Sequence, residues 1–192
     1  STLSLRRQRQ MCIRDRNETD ALAALTASYA RLKSGIGYYK QQFMPTLFAS
    51  SDQGLSTYLY NEFKRGIVTS TNQSLNNLWK ELYLGIREAN NVIANVPNID
   101  MDEELKNRII GEAKFLRALH YFNLVRCFGE VPLRTSPVEA GDDQGLAVST
   151  IVEIYDSIID DLNYASLHCW GRNESRGLSL IHISEPTRPR LI

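Results

Sequence analysis

Little in this sequence invites catalytic chemistry, and its absences exclude whole classes of protein. Three cysteines in 192 residues, none at metal-ligand spacing, leave neither a disulfide scaffold nor a zinc ribbon. No run of about 18 uncharged apolar residues occurs, so no membrane-spanning helix is expected. Gly-rich phosphate loops and a Gly-x-Ser-x-Gly elbow are missing. A di-metal helical bundle needs Glu three residues ahead of His, and neither His120 nor His168 has one. An excess of one charge is missing too: 22 basic and 22 acidic residues give a net charge of zero. What is present, 43% hydrophobic and 23% charged residues, is the composition of one soluble globular domain.

That zero is a sum over unlike parts. Back-translated, residues 11–16 (MCIRDR) can be written ATG TGT ATA AGA GAC AGn. The reverse complement of that string encodes LSLIHI, which is residues 178–183. Inverted complementary codons at two ends belong to a DNA insert flanked by one synthetic sequence. The string resembles the mosaic end of a transposase-based sequencing library, and residues 6–10 and 184–188 extend the likeness outward. Residues 1–16 and 178–192 are therefore expected to be adapter-derived rather than native, leaving 17–177 as the genuine segment. The plain alternative is a real basic arm and a Pro-rich tail. Genomic DNA across these codons decides between them. Without the ends, 15 basic and 20 acidic residues remain, a net charge of −5. The basic arm RRQRQMCIRDR disappears with them, and nucleic acid is not expected as a partner.

Periodicity in the remaining segment is helical. Leu22, Leu25, Tyr29 and Leu32 predict a first helix over about residues 18–33, with Gly35 as its C-cap. Residues 36–70 are less regular and hold a Ser/Thr/Gly-rich loop. Leu75, Leu78, Trp79, Leu82, Tyr83, Ile86, Ala89, Asn90 and Ile93 mark one face of a helix that stops before Pro97. Asp100 or Asp102 caps the next, whose stripe runs Leu105, Ile109, Ala113, Leu116, His120, Asn123 or Leu124, and Cys127 to a stop at Gly129. A link of only about five residues makes these two an antiparallel hairpin. Glu-Val-Pro-Leu follows as an extended segment. Thr150 and Glu153 then form a capping box opening a last helix with Ile151, Ile154 or Tyr155, Ile158, Leu162 and Ala165 on one face. The fold class is mostly α, with tetratricopeptide-like helical hairpins, although no clean period of about 34 residues is present.

Few side chains offer function. His120 is expected half-buried with its ring N–H satisfied, Cys127 as a small core residue, and Asp160 and Asp161 as solvated. Trp79 and Tyr83 fall on the apolar stripe and are assigned to the core. Tyr58 and Tyr60, beside Asp52, Asn61 and Arg65, are the candidate ligand-binding set. Aromatic rings stack on the C–H face of a sugar while the polar groups bond its hydroxyls. The other reading is that the two tyrosines anchor their loop. No catalytic residue, metal ligand or cofactor is assigned.

Two runs carry a resemblance. Residues 79–93, WKELYLGIREANNVI, and residues 111–133, GEAKFLRALHYFNLVRCFGEVPL, resemble the two hallmark helices of the SusD/RagB family. The last helix, with EIYDSIIDDL, looks like a third segment of that family. Order and spacing agree over nearly all of residues 17–177. The resemblance implies a truncated SusD-like α-helical fold in a cell-surface lipoprotein of the outer membrane. It also implies glycan binding for nutrient uptake beside a SusC-like TonB-dependent transporter, without catalysis. The lipid anchor and the second half of a family member are not in this sequence. Ala89, Ala113 and Ala118 are expected to let helices approach, Asn90 to bond backbone across the hairpin, and Pro132 to fix the extended exit. An apolar surface is expected exposed around the last helix, where later repeats would pack. Two other readings stay open. One is a soluble tetratricopeptide-like module for protein–protein interaction without sugar binding; the other is a helical hydrolase or metal enzyme.

Overall fold

The long helices of this chain begin where a polar side chain closes an open N-terminus. The computed structural model describes residues 17–33, 61–138 and 145–169. In chain order these hold α1 (Glu18–Lys33), the short α2 (Asn61–Arg65), α3 (Gln73–Asn95), α4 (Glu103–Phe128) and α5 (Ile151–His168). Asn17 accepts from the Asp20 amide at 2.9 Å, and Asn72 from those of Ser74 and Leu75. Asp102, rather than Asp100, caps α4 by accepting from the Leu105 amide at 2.9 Å. Thr150 and Glu153 form the expected reciprocal box, and those bonds hold the Glu153 carboxyl below its usual range. Each such cap contributes about 1 kcal/mol.

The stops are equally local. Pro97 lies in a 3-10 turn, Val96–Asn98, that ends α3. Gly129, at a φ of 73°, closes α4 in a conformation that a side chain would strain. Beyond it, Val131 and Ser149 form one isolated antiparallel bridge, closed by a 3.1 Å bond from the Ser149 amide. Among the described residues there is no other strand pairing. The chain is mostly helical.

Helix α4 is the axis of the bundle. Phe115, Leu116, Arg117 and Ala118 are buried in succession, which requires neighbours on every side. Antiparallel α3 and α5 supply most of them and α1 the rest. One apolar cluster gathers Leu78, Leu82, Ile86, Tyr121, Leu124 and Ile154. The other gathers Leu25, Val92, Val96, Ile109, Leu116 and Ala165. Ala89, Ala113 and Ala118 are buried where helices meet, as their size predicts. Gly85 is tighter still: a methyl group there would run into the His120 ring.

Four expectations need correction. His120 is fully rather than half buried, because Gly85 opens a ring-sized space opposite it. Asp161 is buried, not solvated, because Arg117 meets it; Asp160 is exposed. Cys127 is exposed, two positions past the buried run that ends at Val125. Leu22 is exposed too, since α1 turns Ala21, Leu25 and Ser28 inward. The outer face of α5 carries the expected apolar surface: Val152, Tyr155 and Ile159 are exposed at helical spacing, and Ile151, expected on the inner stripe, is exposed beside them at the first turn.

His120 gives the fold a pH signature. Burial pushes its pKa from an ordinary 6.5 down to about 4. Between those values the unfolded chain binds a proton that the folded protein refuses. Its contribution is thus intact above about pH 6.5 and is lost as pH falls toward 4, by about 3 kcal/mol in all. Urea unfolding at pH 7 and pH 4.5 is expected to show a steeper loss for the native chain than for His120→Gln. Parallel losses would contradict this placement of the ring.

Candidate functional site

On α3, Trp79, Tyr83, Arg87 and Asn90 recur every three to four residues and so share a face. Opposite them runs the extended segment that leaves α4. Together they bound a groove of about 470 Å³, lined by Trp79, Lys80, Tyr83, Leu84, Ile86, Arg87 and Asn90 from the helix. Arg134, Ser136 and Val138 line it from the segment. A volume of this order suits a small polar ligand with an apolar face.

Both walls are fixed. The Trp79 ring lies 4.9 Å from Tyr83, tilted by 48°, and 5.0 Å from Phe128 in an edge-to-face contact. Such pairs hold aromatic rings in place by about 1 kcal/mol each. The Tyr83 hydroxyl donates to the Pro132 carbonyl at 2.8 Å, and burial pushes that phenol well above its ordinary range. The extended wall is gripped carbonyl by carbonyl. Asn90 Nδ2 donates to the carbonyls of Arg134 and Ser136 at 3.0 and 3.2 Å, so the backbone it bonds is that of the exit segment rather than of the facing helix. Tyr121 donates to the Arg134 carbonyl at 3.0 Å and accepts from the Arg134 amide at 2.7 Å; burial takes its pKa up to about 12.

Arg117 ties this wall to the core. Its guanidinium donates to both carboxylate oxygens of Asp161 at 2.7 and 2.8 Å, a bidentate pair. The remaining Nη1 donates to Asn90 Oδ1 at 2.8 Å and to the Thr135 carbonyl at 2.9 Å. Lys114 adds a second cation 3.7 Å from Asp161. One buried network therefore joins α3, α4 and α5 and sets the groove's rim. The sequence pattern assigned Arg117 no role and placed Asp161 in solvent. The available signal was two opposite charges set into apolar stripes on neighbouring helices.

Of the sequence-derived candidates, the side chain of Arg65 alone belongs to the described residues. Asp52, Tyr58 and Tyr60 lie outside the described residues, as does the side chain of Asn61. Arg65 is exposed at the end of α2 and does not line the groove. Trp79 and Tyr83, assigned to the core, pack against the first apolar cluster but are only half-buried, and they also form the groove's aromatic wall. Glu112 accepts from Tyr29 and Arg108, each at 2.8 Å, whereas the His120 ring packs at Gly85. Among the described residues no three His, Cys, Asp or Glu side chains gather as a metal site. No described helix is long and apolar enough to cross a membrane.

Comparison with known proteins gives this geometry a context. A SusD-like family, described as "Starch-binding associating with outer membrane", matches residues 8–170. The SusD-like protein P2 of Formosa agariphila is 30% identical over 154 residues, covering 76% of this chain and 30% of that protein. A solved laminarin-binding SusD-like protein is 32% identical with a TM-score of 0.68, over 78% of this chain and 34% of its own. Another solved structure, with xylogluco-oligosaccharide, is 26% identical with a TM-score of 0.65, over 79% and 31%. The chain thus spans about a third of the length of the relatives it matches.

Proposed function

Because the chain belongs to the SusD-like family, we propose that it binds oligosaccharides at the bacterial cell surface and does not transform them. In this reading it serves nutrient uptake beside a SusC-like TonB-dependent transporter, held at the outer membrane by a lipid anchor that precedes the segment. The observation that carries the reading is the groove on α3: a half-buried Trp79–Tyr83 wall faces a segment clamped by buried hydrogen bonds. A preset aromatic surface accepts the C–H face of a sugar at little ordering cost. The laminarin-binding and xylogluco-oligosaccharide structures among the relatives support the ligand class.

Affinity electrophoresis of the intact chain through gels containing laminarin, xyloglucan, starch or acidic polysaccharides tests it. At least one glycan is expected to retard the protein. A ring contact contributes on the order of 1 kcal/mol, so Trp79→Ala is expected to weaken binding about five- to tenfold. The loop candidates enter the same assay. Tyr58→Ala combined with Tyr60→Ala, next to Asp52, Asn61 and Arg65, is expected to abolish retardation if those rings complete the ligand site. Unchanged mobility would remove that set and leave the groove alone. Free migration through every gel would overturn the reading.

One observation favours a second reading, protein binding without sugar. The exposed Val152–Tyr155–Ile159 stripe on α5 is apolar surface of the kind that protein contacts cover. A partner captured on that stripe by a chain blind to every glycan would establish it.

A further inference from the structure

The two walls of the groove are held by different means. On α3 the lining side chains also carry the fold: Trp79 packs on Phe128, Tyr83 bonds the Pro132 carbonyl, and Asn90 joins the Arg117 network. None of the three can change without loosening a wall. The exit segment is built the other way round. The bonds it receives from Tyr83, Asn90, Arg117 and Tyr121 all end on its main chain, at the carbonyls of residues 132, 134, 135 and 136 and at the Arg134 amide. Carbonyls are common to every residue type, so the helices set the path of this wall and its own side chains do not. Those side chains alternate, as extended backbone requires. Val131 and Leu133 turn onto the first apolar cluster, whereas Arg134, Ser136 and Val138 line the groove. Ser136 and Val138 are exposed there.

From this division we infer that Ser136 and Val138 are the specificity-determining residues of the groove, with Tyr121 behind them as a positioning residue. The inference rests on the glycan-binding reading above. An aromatic ring such as Trp79 takes the C–H face of a sugar with little regard to linkage. The facing wall reads what differs between glycans. The Ser136 hydroxyl donates to or accepts from a sugar hydroxyl placed opposite it, and a partner built to pair with a hydroxyl discriminates against a ligand that lacks one there. Val138 limits the bulk that fits beside the ring, so a branch that overlaps it is refused. Because the wall is anchored through its backbone, these two side chains can be exchanged, and the glycan preference with them, while the groove keeps its shape.

The test measures affinities for laminarin, xyloglucan and starch, beside urea midpoints, for the intact chain, the double variant Ser136→Ala/Val138→Ala, and Tyr121→Phe. The double variant is expected to unfold at the parent's midpoint, since neither side chain anchors the wall. Its affinities should change unequally, shifting the ratio between two of the glycans by about fivefold or more, the loss of one hydrogen bond to one of them. Tyr121→Phe keeps the ring and removes both bonds to the Arg134 main chain. It is expected to lower the midpoint and to weaken every glycan by a similar factor, leaving their ranking as it was. Unchanged ratios in the double variant overturn selection by this wall and leave glycan binding standing. A midpoint that falls as far in the double variant as in Tyr121→Phe overturns the backbone anchoring. A reordered ranking in Tyr121→Phe overturns its positioning role. Binding to none of the glycans overturns the glycan-binding reading, and this inference with it.

Discussion

Arg117→Ala is expected to cost about 3–5 kcal/mol of folding stability. The reason lies in what the substitution strands. Asp161 is 3% exposed and would keep only Lys114, at 3.7 Å, in place of two short bonds to a guanidinium. Asn90 Oδ1 and the Thr135 carbonyl would lose their donor in the same step. A buried ion pair adds little over a well-packed apolar one, whereas half of one is far worse than either. Arg117→Met combined with Asp161→Leu is therefore expected to recover most of the loss. It would not recover the bonds to Asn90 and Thr135, so glycan affinity should stay low while stability returns. Urea midpoints for the single and double variants, set beside their affinities, separate the two roles. A loss below about 1 kcal/mol for Arg117→Ala would mean the network is not closed as described.

Gly85→Ala is the second large effect, and its sign decides the case. Alanine in a helix interior is favoured over glycine by about 1 kcal/mol, so an open site would gain stability. Here the added methyl group meets the ring of His120, which is 1% exposed and has no room to retreat. Overpacking of that kind costs about 1–3 kcal/mol, and more when the obstacle is rigid. A net loss of about 2 kcal/mol is expected. In a His120→Ala background the obstacle is gone, and the same substitution should turn stabilising. Thermal melts of the four proteins close the cycle, and equal effects of Gly85→Ala in both backgrounds would contradict the contact.

These two positions also show where sequence reading stops. Helix boundaries were legible because their causes are local: Asn72, Asp102 and Thr150 cap, while Pro97 and Gly129 stop. The hairpin of α3 and α4 followed from a short link. Three-dimensional partnership was not legible. Arg117 sits among apolar neighbours and Asp161 beside another aspartate, and nothing in one chain's order says that they are 44 residues apart yet bonded. The stripe rule gave α4 one buried face, because periodicity cannot reveal that a helix is surrounded. Trp79 and Tyr83 read as core for the same reason. A stripe shows which way a ring points and leaves open whether another element covers it. The groove itself depends on the extended exit from α4, whose register is set by carbonyls that any residue would provide.

The central claim is that an oligosaccharide sits against Trp79, and the protein carries its own reporter for it. The sequence has two tryptophans, Trp79 and Trp170. With Trp170→Phe, indole emission comes from Trp79 alone. Titration with an oligosaccharide of the glycan that retards the protein is expected to give a saturable change in emission, with the Kd measured by calorimetry. Trp79 emission that stays flat while calorimetry shows saturable binding would place the ligand elsewhere and contradict the account.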